Sequence, residues 1–239
     1  MSGATLVGTI GYPISRDRVQ RAVDVVELSE GRELPPSAST ARRWRRRAPE
    51  GLSFCAQASR FLHDRIPPGA PLDGDPEAYG RFQLSDENLA LWKRCLDFAG
   101  ALEANALVIV TPPELTPAAA AVDRFAAFVG AVDRDGKALA WEPHGPWEPE
   151  RAAALAERHG LVLAVDPLRD EPPPGPLAYL RLGPMATFGS RMGIFDLERI
   201  AETAERFEST ICVFGTERAL DDARNLKRIL AGEDPAPRF

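Results

Sequence analysis

The sequence predicts an α/β fold, a parallel eight-stranded TIM (β/α)8 barrel. Three observations lead there. Short apolar, β-branched runs alternate along the chain with longer segments of helical period. Eight such runs occur, nearly all followed by a helix, and parallel neighbours need crossover connections of that kind. The length, 239 residues, lies close to the roughly 250 that such a barrel uses.

The first strand reads as Leu6–Ile10, ended by Gly11-Tyr12-Pro13, with a short helix Asp17–Ala22 and a second strand Val25–Leu28 following. Ser39 or Thr40 is placed to cap a helix through Arg47, which Pro49-Glu50-Gly51 stops before the strand Leu52–Ala58. Residues 64–84 are rich in Pro, Gly and Asp and read as an irregular excursion. In a barrel, a long loop after a strand covers the active face. Ser85 caps a helix through about Leu102 with Leu89, Trp92, Leu96, Ala99 and Leu102 on one face.

Ala106–Val110 is the fourth strand, closed by Thr111-Pro112-Pro113. Thr116-Pro117 then offers a cap with proline at the first helical position, and Val122, Phe125, Val129 and Val132 form the buried face of the helix that follows. Strand five is Ala138–Glu142. Pro149 opens a helix that ends at His159-Gly160. Leu161–Asp166, Leu177–Leu182 and Thr210–Phe214 complete the eight strands. Between the last two, a helix from Asp196 buries Leu197, Ile200, Ala204 and Phe207; a final helix spans Asp221–Leu230, and Gly232–Phe239 reads as a frayed tail. No internal linker divides the chain, so one domain over 1–239, with an ordered core of about 5–230, is expected.

Composition narrows the function classes. Hydrophobic residues at 44% supply a sizeable core, and a net charge of -6 argues against nucleic acid as the default partner. No run approaches the roughly 20 apolar residues of a bilayer span, so no membrane partner is expected. Met1-Ser2-Gly3-Ala4 leads straight into a strand without the look of a signal peptide, which gives a cytoplasmic expectation. Cys55, Cys95 and Cys212 lie far apart in apolar surroundings and read as buried, reduced hydrophobes rather than zinc ligands.

Ligands of a parallel barrel gather at the C-terminal strand ends, and alternation of side chains decides which residues face them. Glu142 shares its side with Ala140, Asp166 with Ala164, and Arg181 with Tyr179, each opposite bulky aliphatic or aromatic residues that should meet the helices. Glu27 follows the same rule. Glu27, Glu142, Asp166 and Arg181 are therefore expected to converge on one mouth, with Gln57, Arg60, His63 and His144 as further ligand-binding candidates.

Several local patterns, in order over about nine-tenths of the chain, resemble the YecE-like family (domain of unknown function 72). They are Val7–Pro13, Val26-Glu27-Leu28, Trp44-Arg45 with Ala48-Pro49, and Leu52–Ala58. Val108–Pro113, Trp141-Glu142 with Trp147, Val165-Asp166 and Tyr179–Leu182 continue the series. The resemblance implies a TIM barrel with a polar pocket at the strand ends and no particular reaction. Glu27, Glu142, Asp166 and Arg181 are retained, and His63 resembles a family histidine.

Departures mark a divergent member. Gln57 stands where the family has lysine and Val110 where it has glutamine. Pro143-His144 replaces arginine-histidine, and Leu182-Gly183-Pro184 lacks a histidine. Gly215-Thr216 replaces an asparagine pair, and the tyrosine-bearing loop before the seventh helix is short. A family activity can be altered or lost by such changes.

Two carboxylates on neighbouring strand ends, about 4.8 Å apart in the sheet, suit acid-base or nucleophilic roles, so Glu142 and Asp166 are the catalytic candidates. With His144 or Glu27 the pair could instead hold a divalent metal, although three histidines exclude a histidine-rich centre. The structural alternative is an ion network with Arg181. No sequence motif indicates a cofactor. A small ligand, anionic in one reading, with hydrolase or isomerase chemistry is the leading expectation. A catalytically degenerate scaffold is the second, and nucleic-acid binding through Arg42–Arg47 the third. Gly183-Pro184 and Gly215-Thr216 fall where barrels often hold phosphate.

Overall fold

A computed structural model describes residues 4–67, 69–183 and 192–234. The strands are β1 Ala4–Ile10, β2 Val25–Leu28, β3 Ser53–Gln57, β4 Ala106–Thr111, β5 Ala138–Pro143, β6 Val162–Val165, β7 Leu177–Leu182 and β8 Ser209–Phe214. The helices are α1 Arg16–Gln20, α2 Ala38–Arg47, α3 Asp86–Ala101, α4 Ala119–Ala131, α5 Pro149–Arg158, α6 Ile194–Ala204 and α7 Ala219–Leu230. The strands follow one another around a closed barrel, β1 to β8. The predicted parallel TIM barrel is the observed one.

Packing divides the chain into two compact units. The first comprises Met1–Leu28, Ala48–Phe54 and Leu163–Phe239. Within it β1 pairs with β2 (Gly8↔Val25, Ile10↔Glu27) and with β8 (Gly8↔Val213). Strand β8 pairs with β7 (Arg181↔Val213), and β7 with β6 (Val165↔Leu180). Gly8 permits this closure: a Cβ there would fall 1.7 Å from the Val25 carbonyl oxygen, so no side chain fits. Asp24 ties the N-terminal strand ends together, accepting from Val7 N (3.2 Å) and from Lys227 Nζ (2.6 Å).

The second unit comprises Ser29–Arg47 and Cys55–Val162. Here β4 lies between β3 (Gln57↔Val108) and β5 (Val110↔Glu142). Trp141 packs at 4.9 Å on Phe125 of α4 and edge-on to Trp147, so its side of β5 faces the helices. Ala140 and Glu142 take the opposite, inward side, as the alternation rule requires.

Several element starts differ from the sequence reading for local reasons. Helix α2 begins earlier because Ser37 Oγ, not Ser39 or Thr40, accepts a hydrogen bond from the backbone N–H of Thr40 (3.3 Å). Helix α4 starts at Ala119 rather than at Pro117, since a turn engages Leu115 N and Thr116 N with Pro112 O and Glu114 O. Helix α6 starts at Ile194; Asp196 is its third residue, reaching back to accept from Gly193 N (2.9 Å). Leu197, Ile200, Ala204 and Phe207 are buried as expected, whereas Val122 is half-buried and Phe128 fills the α4 face.

The buried stripe of α3 is rotated from the predicted one. Leu91, Cys95 and Phe98 are buried with Trp92, Ala99 and Leu102, while Leu89 is exposed and Leu96 half-buried. Asn88 explains the rotation. It is fully buried, donating to Gly80 O (3.1 Å) and Gln83 O (2.9 Å) and accepting from Gly80 N (3.2 Å). A polar residue that satisfies three backbone groups turns inward in place of a leucine. It also anchors the excursion after β3, which contains short 3-10 turns at Arg60–Leu62 and Pro76–Ala78.

Helix α5 ends as predicted, with Gly160 in the left-handed region (φ 58). A cation, Arg134, serves this end. Its guanidinium donates to His159 O (2.7 Å), Gly160 O (2.7 Å) and Val129 O (3.2 Å), joining the C-termini of α4 and α5. Burial lowers the pKa of Arg134 from its ordinary value. All three cysteines are buried thiols outside any disulfide. Burial pushes the Cys95 thiol up to about 12 and raises that of Cys212. No helix among the described residues is long and apolar enough to cross a membrane.

Candidate functional site

In the first unit, β2 and β7 bring three polar side chains together. Glu27 is wholly buried. It accepts from Arg181 Nε (3.1 Å to each oxygen), from Arg181 Nη2 (2.9 Å) and from the Tyr179 hydroxyl (2.8 Å). Strands β8 and β1 separate β7 from β2 in the sheet, so these bonds cross the space inside it. The inward parity of Glu27, Tyr179 and Arg181 follows directly. A buried, two-pronged guanidinium–carboxylate pair with a third donor is a strong local arrangement. It also commits Arg181 to Glu27, so its charge is largely met by the protein itself.

Asp166, just beyond β6, binds its own turn: Oδ1 accepts from Leu168 N (3.0 Å) and Oδ2 lies 3.5 Å from Arg169 Nε. That is the geometry of a side chain initiating a turn. After β8, Thr216 Oγ1 donates to buried Asp222 (2.6 Å), and Asp221 and Asp222 occupy the first turn of α7. The helix end considered for phosphate is thus served by the chain's own carboxylates. Gly183 is described, whereas residues 184–191, Pro184 among them, lie outside the described residues.

In the second unit, Glu142 ends β5 with its side chain 15% exposed, and His144 Nε2 lies 3.0 Å from Glu142 Oε2. Neighbours hold this end still. Thr111, at the end of β4, accepts from Trp141 Nε1 (3.1 Å) and donates to Glu142 O (3.4 Å). Gly145, at φ 93, lies so close to Pro113 that a Cβ would meet its carbonyl oxygen at 2.6 Å. A carboxylate–imidazole pair in partial contact with solvent can take up and release a proton. Gln57 is buried on the same inward face of the sheet, level with Val108.

Arg60 and His63 follow β3. His63 Nδ1 lies 2.8 Å from Asp64 Oδ1, Arg60 Nη1 donates to Asp64 Oδ2 (3.3 Å), and Arg60 Nη2 donates to Glu33 Oε1 (2.9 Å). Burial opposes ionisation of Asp64. The hydrogen bond and charge of His63, then those of Arg60, outweigh it and hold the carboxyl below its usual range. A cavity of about 570 Å³ opens beside Glu33, lined also by Arg32, Leu34 and Phe61. In α2, Arg42, Arg43, Arg46 and Arg47 point to solvent, Arg45 lies 3.9 Å from Glu103, and Trp44 meets Phe98 edge-on.

The sequence reading did not single out Asp64, took Thr111 only as the close of strand four, and took Tyr179 only for parity and for the family resemblance. Asp64 was discoverable as an acid beside a candidate histidine, and Tyr179 by its spacing of two from Arg181.

Comparison with solved structures identifies the fold. A DUF72 family protein from Enterococcus faecalis superposes with a TM-score of 0.69 at 12% identity, covering 96% of this chain and 98% of that one. Another, from Thermotoga maritima, gives 0.67 at 16% identity over 95% and 99%. The fold is that of the DUF72 proteins. A xylose isomerase domain protein from Planctomyces limnophilus shares the barrel more distantly, with a TM-score of 0.57 at 12% identity over 97% of both chains. No family model and no curated relative matches the sequence.

Proposed function

We propose that this chain is a divergent DUF72 protein that binds a small polar ligand, with anionic sugars as the leading class, and transfers protons in a hydrolysis or isomerisation. The acid-base group is the Glu142–His144 pair. One observation carries this reading: a hydrogen-bonded carboxylate and imidazole sit at the C-terminal end of β5, partly open to solvent. Chemistry in this fold is concentrated at that end of the strands. The described residues contain no cluster of three or more metal-ligating side chains, and the proposal uses none. A cytoplasmic location belongs to the same reading, supported by three cysteines kept as thiols rather than disulfides.

A second reading, a degenerate binding or scaffold protein, draws on Asp166 and Arg181, both engaged by nearby protein groups. Thermal shifts and turnover over a panel of phosphosugars, sugar acids and divalent metals separate the two. A true ligand at about 100 times its Kd stabilises the wild type by about 2.7 kcal/mol, or roughly 5–10 °C. Glu142→Gln should lower that affinity at least tenfold. Silence from both proteins over the whole panel removes the enzyme reading.

A further inference from the structure

We infer that His63 is a second acid-base residue of the C-terminal face, with Asp64 as the carboxylate that positions its ring. The inference rests on the reading of that face as the ligand-binding end, and it concerns a group that the Glu142–His144 proposal does not use.

The ring is fixed from several directions. Asp64 Oδ1 engages Nδ1 at 2.8 Å, and Asp64 is held in turn by Arg60, which Glu33 engages. The ring lies against Phe82 with centroids 5.4 Å apart and planes tilted by 45°, and Phe82 in turn contacts Phe125 and Phe128. Arg81 and Phe82 both adopt the left-handed region (φ 53 for each), with Arg81 N bonded to His63 O (3.0 Å) and Phe82 N to Leu62 O (2.8 Å). Two consecutive non-glycine residues in that region carry strain that persists only where surroundings enforce it, most often at functional sites. Here the strained pair presses an aromatic ring against a histidine.

Asp64 at Nδ1 sets the chemistry. With Nδ1–H donated to the carboxylate, the basic lone pair lies on Nε2. The His63 side chain is 6% exposed, and no buried side-chain nitrogen or oxygen among the described residues lacks a partner. With no protein group bonded to it, Nε2 is therefore the nitrogen that reaches solvent. It can accept the proton of an O–H held against it, Asp64 keeping the ring oriented through Nδ1, and return that proton to the product. Nothing else is consumed. The charges around the ring are Asp64, Arg60 and Glu33, and the packing surface on Phe82 is apolar.

Two measurements on the full chain test this. Long-range imidazole ¹⁵N correlation of the wild type, followed over a pH series to the range in which the ring carries a single proton, should show His63 as the Nδ1–H tautomer. The Nε2–H tautomer overturns the assignment, and this arm needs no variant. The second measurement uses p-nitrophenyl acetate as the probe, its acyl C–O bond broken by water with release of p-nitrophenolate. The wild type should exceed His63→Gln at least tenfold. Asp64→Asn should slow the reaction and shift the His63 tautomer, and His159→Gln should match the wild type. Equal rates in wild type, His63→Gln and Asp64→Asn refute the inference. Failure of the Glu142 reading would appear separately, as silence over the ligand panel with the ester reaction intact.

Discussion

Two carboxylates with cationic or imidazole partners end strands in this molecule, and they live under opposite physics. Glu27 is wholly excluded from water, with three donor groups from Arg181 and Tyr179 upon it. Glu142 keeps 15% of its side-chain surface and pairs with a histidine that is 46% exposed. A fully satisfied, water-free ion pair is rigid and leaves little capacity for a ligand. A half-open pair has lone pairs and protons to exchange. Charge at a strand end therefore does not by itself indicate chemistry; residual access to solvent separates the wholly enclosed carboxylate from the one that can still exchange with its surroundings.

That contrast is sharpest in stability. Glu27→Ala strands the Arg181 guanidinium in the interior and should cost about 3–5 kcal/mol, lowering Tm by at least about 6 °C. The double variant Glu27→Gln with Arg181→Met should recover most of the loss in denaturant titration. A cost below about 1 kcal/mol for Glu27→Ala would erase the distinction drawn here. Next in size is Arg134→Ala. It removes three bonds to helix-terminal carbonyls and should cost about 2 kcal/mol, with hydrogen exchange rising at the ends of α4 and α5.

The smallest effect is pH-dependent. Asp64 has a folded-state pKa below its ordinary value of 3.8. Its contribution is complete above that value and disappears as pH falls through the lower, folded one. Asp64→Asn should therefore be less stable than wild type at neutral pH by under about 1 kcal/mol. The two stability curves should converge in acid, and a gap that persists below the carboxylate range would contradict the ion-pair account.

The barrel was legible because its signal is repetitive. Short apolar runs recur eight times, with proline and glycine punctuation at several of their ends, and local errors do not change the topology. Parity also gave the inward direction of Glu27, Arg181 and Glu142. Partner choice was legible only in part. Arg181 was expected on one mouth with Glu27, Glu142 and Asp166; parity does not say which of them it bonds, and its two-pronged contact is with Glu27, 154 positions away, while Asp166 accepts from its own turn. Such choices depend on side-chain reach and on which donor arrives first, neither of which is periodic. The α3 face was misread for a related reason: hydropathy ranks Asn88 as surface, while three backbone groups of the preceding loop draw it inside.

The three thiols carry a practical consequence. Each is sealed inside, and those at positions 95 and 212 are held in the protonated, unreactive form. A single cysteine introduced at the exposed Ile14 or Phe195 would consequently be the one nucleophile to meet a maleimide in the folded protein. Spin or fluorescent labels could then be attached with the native sulfurs left in place.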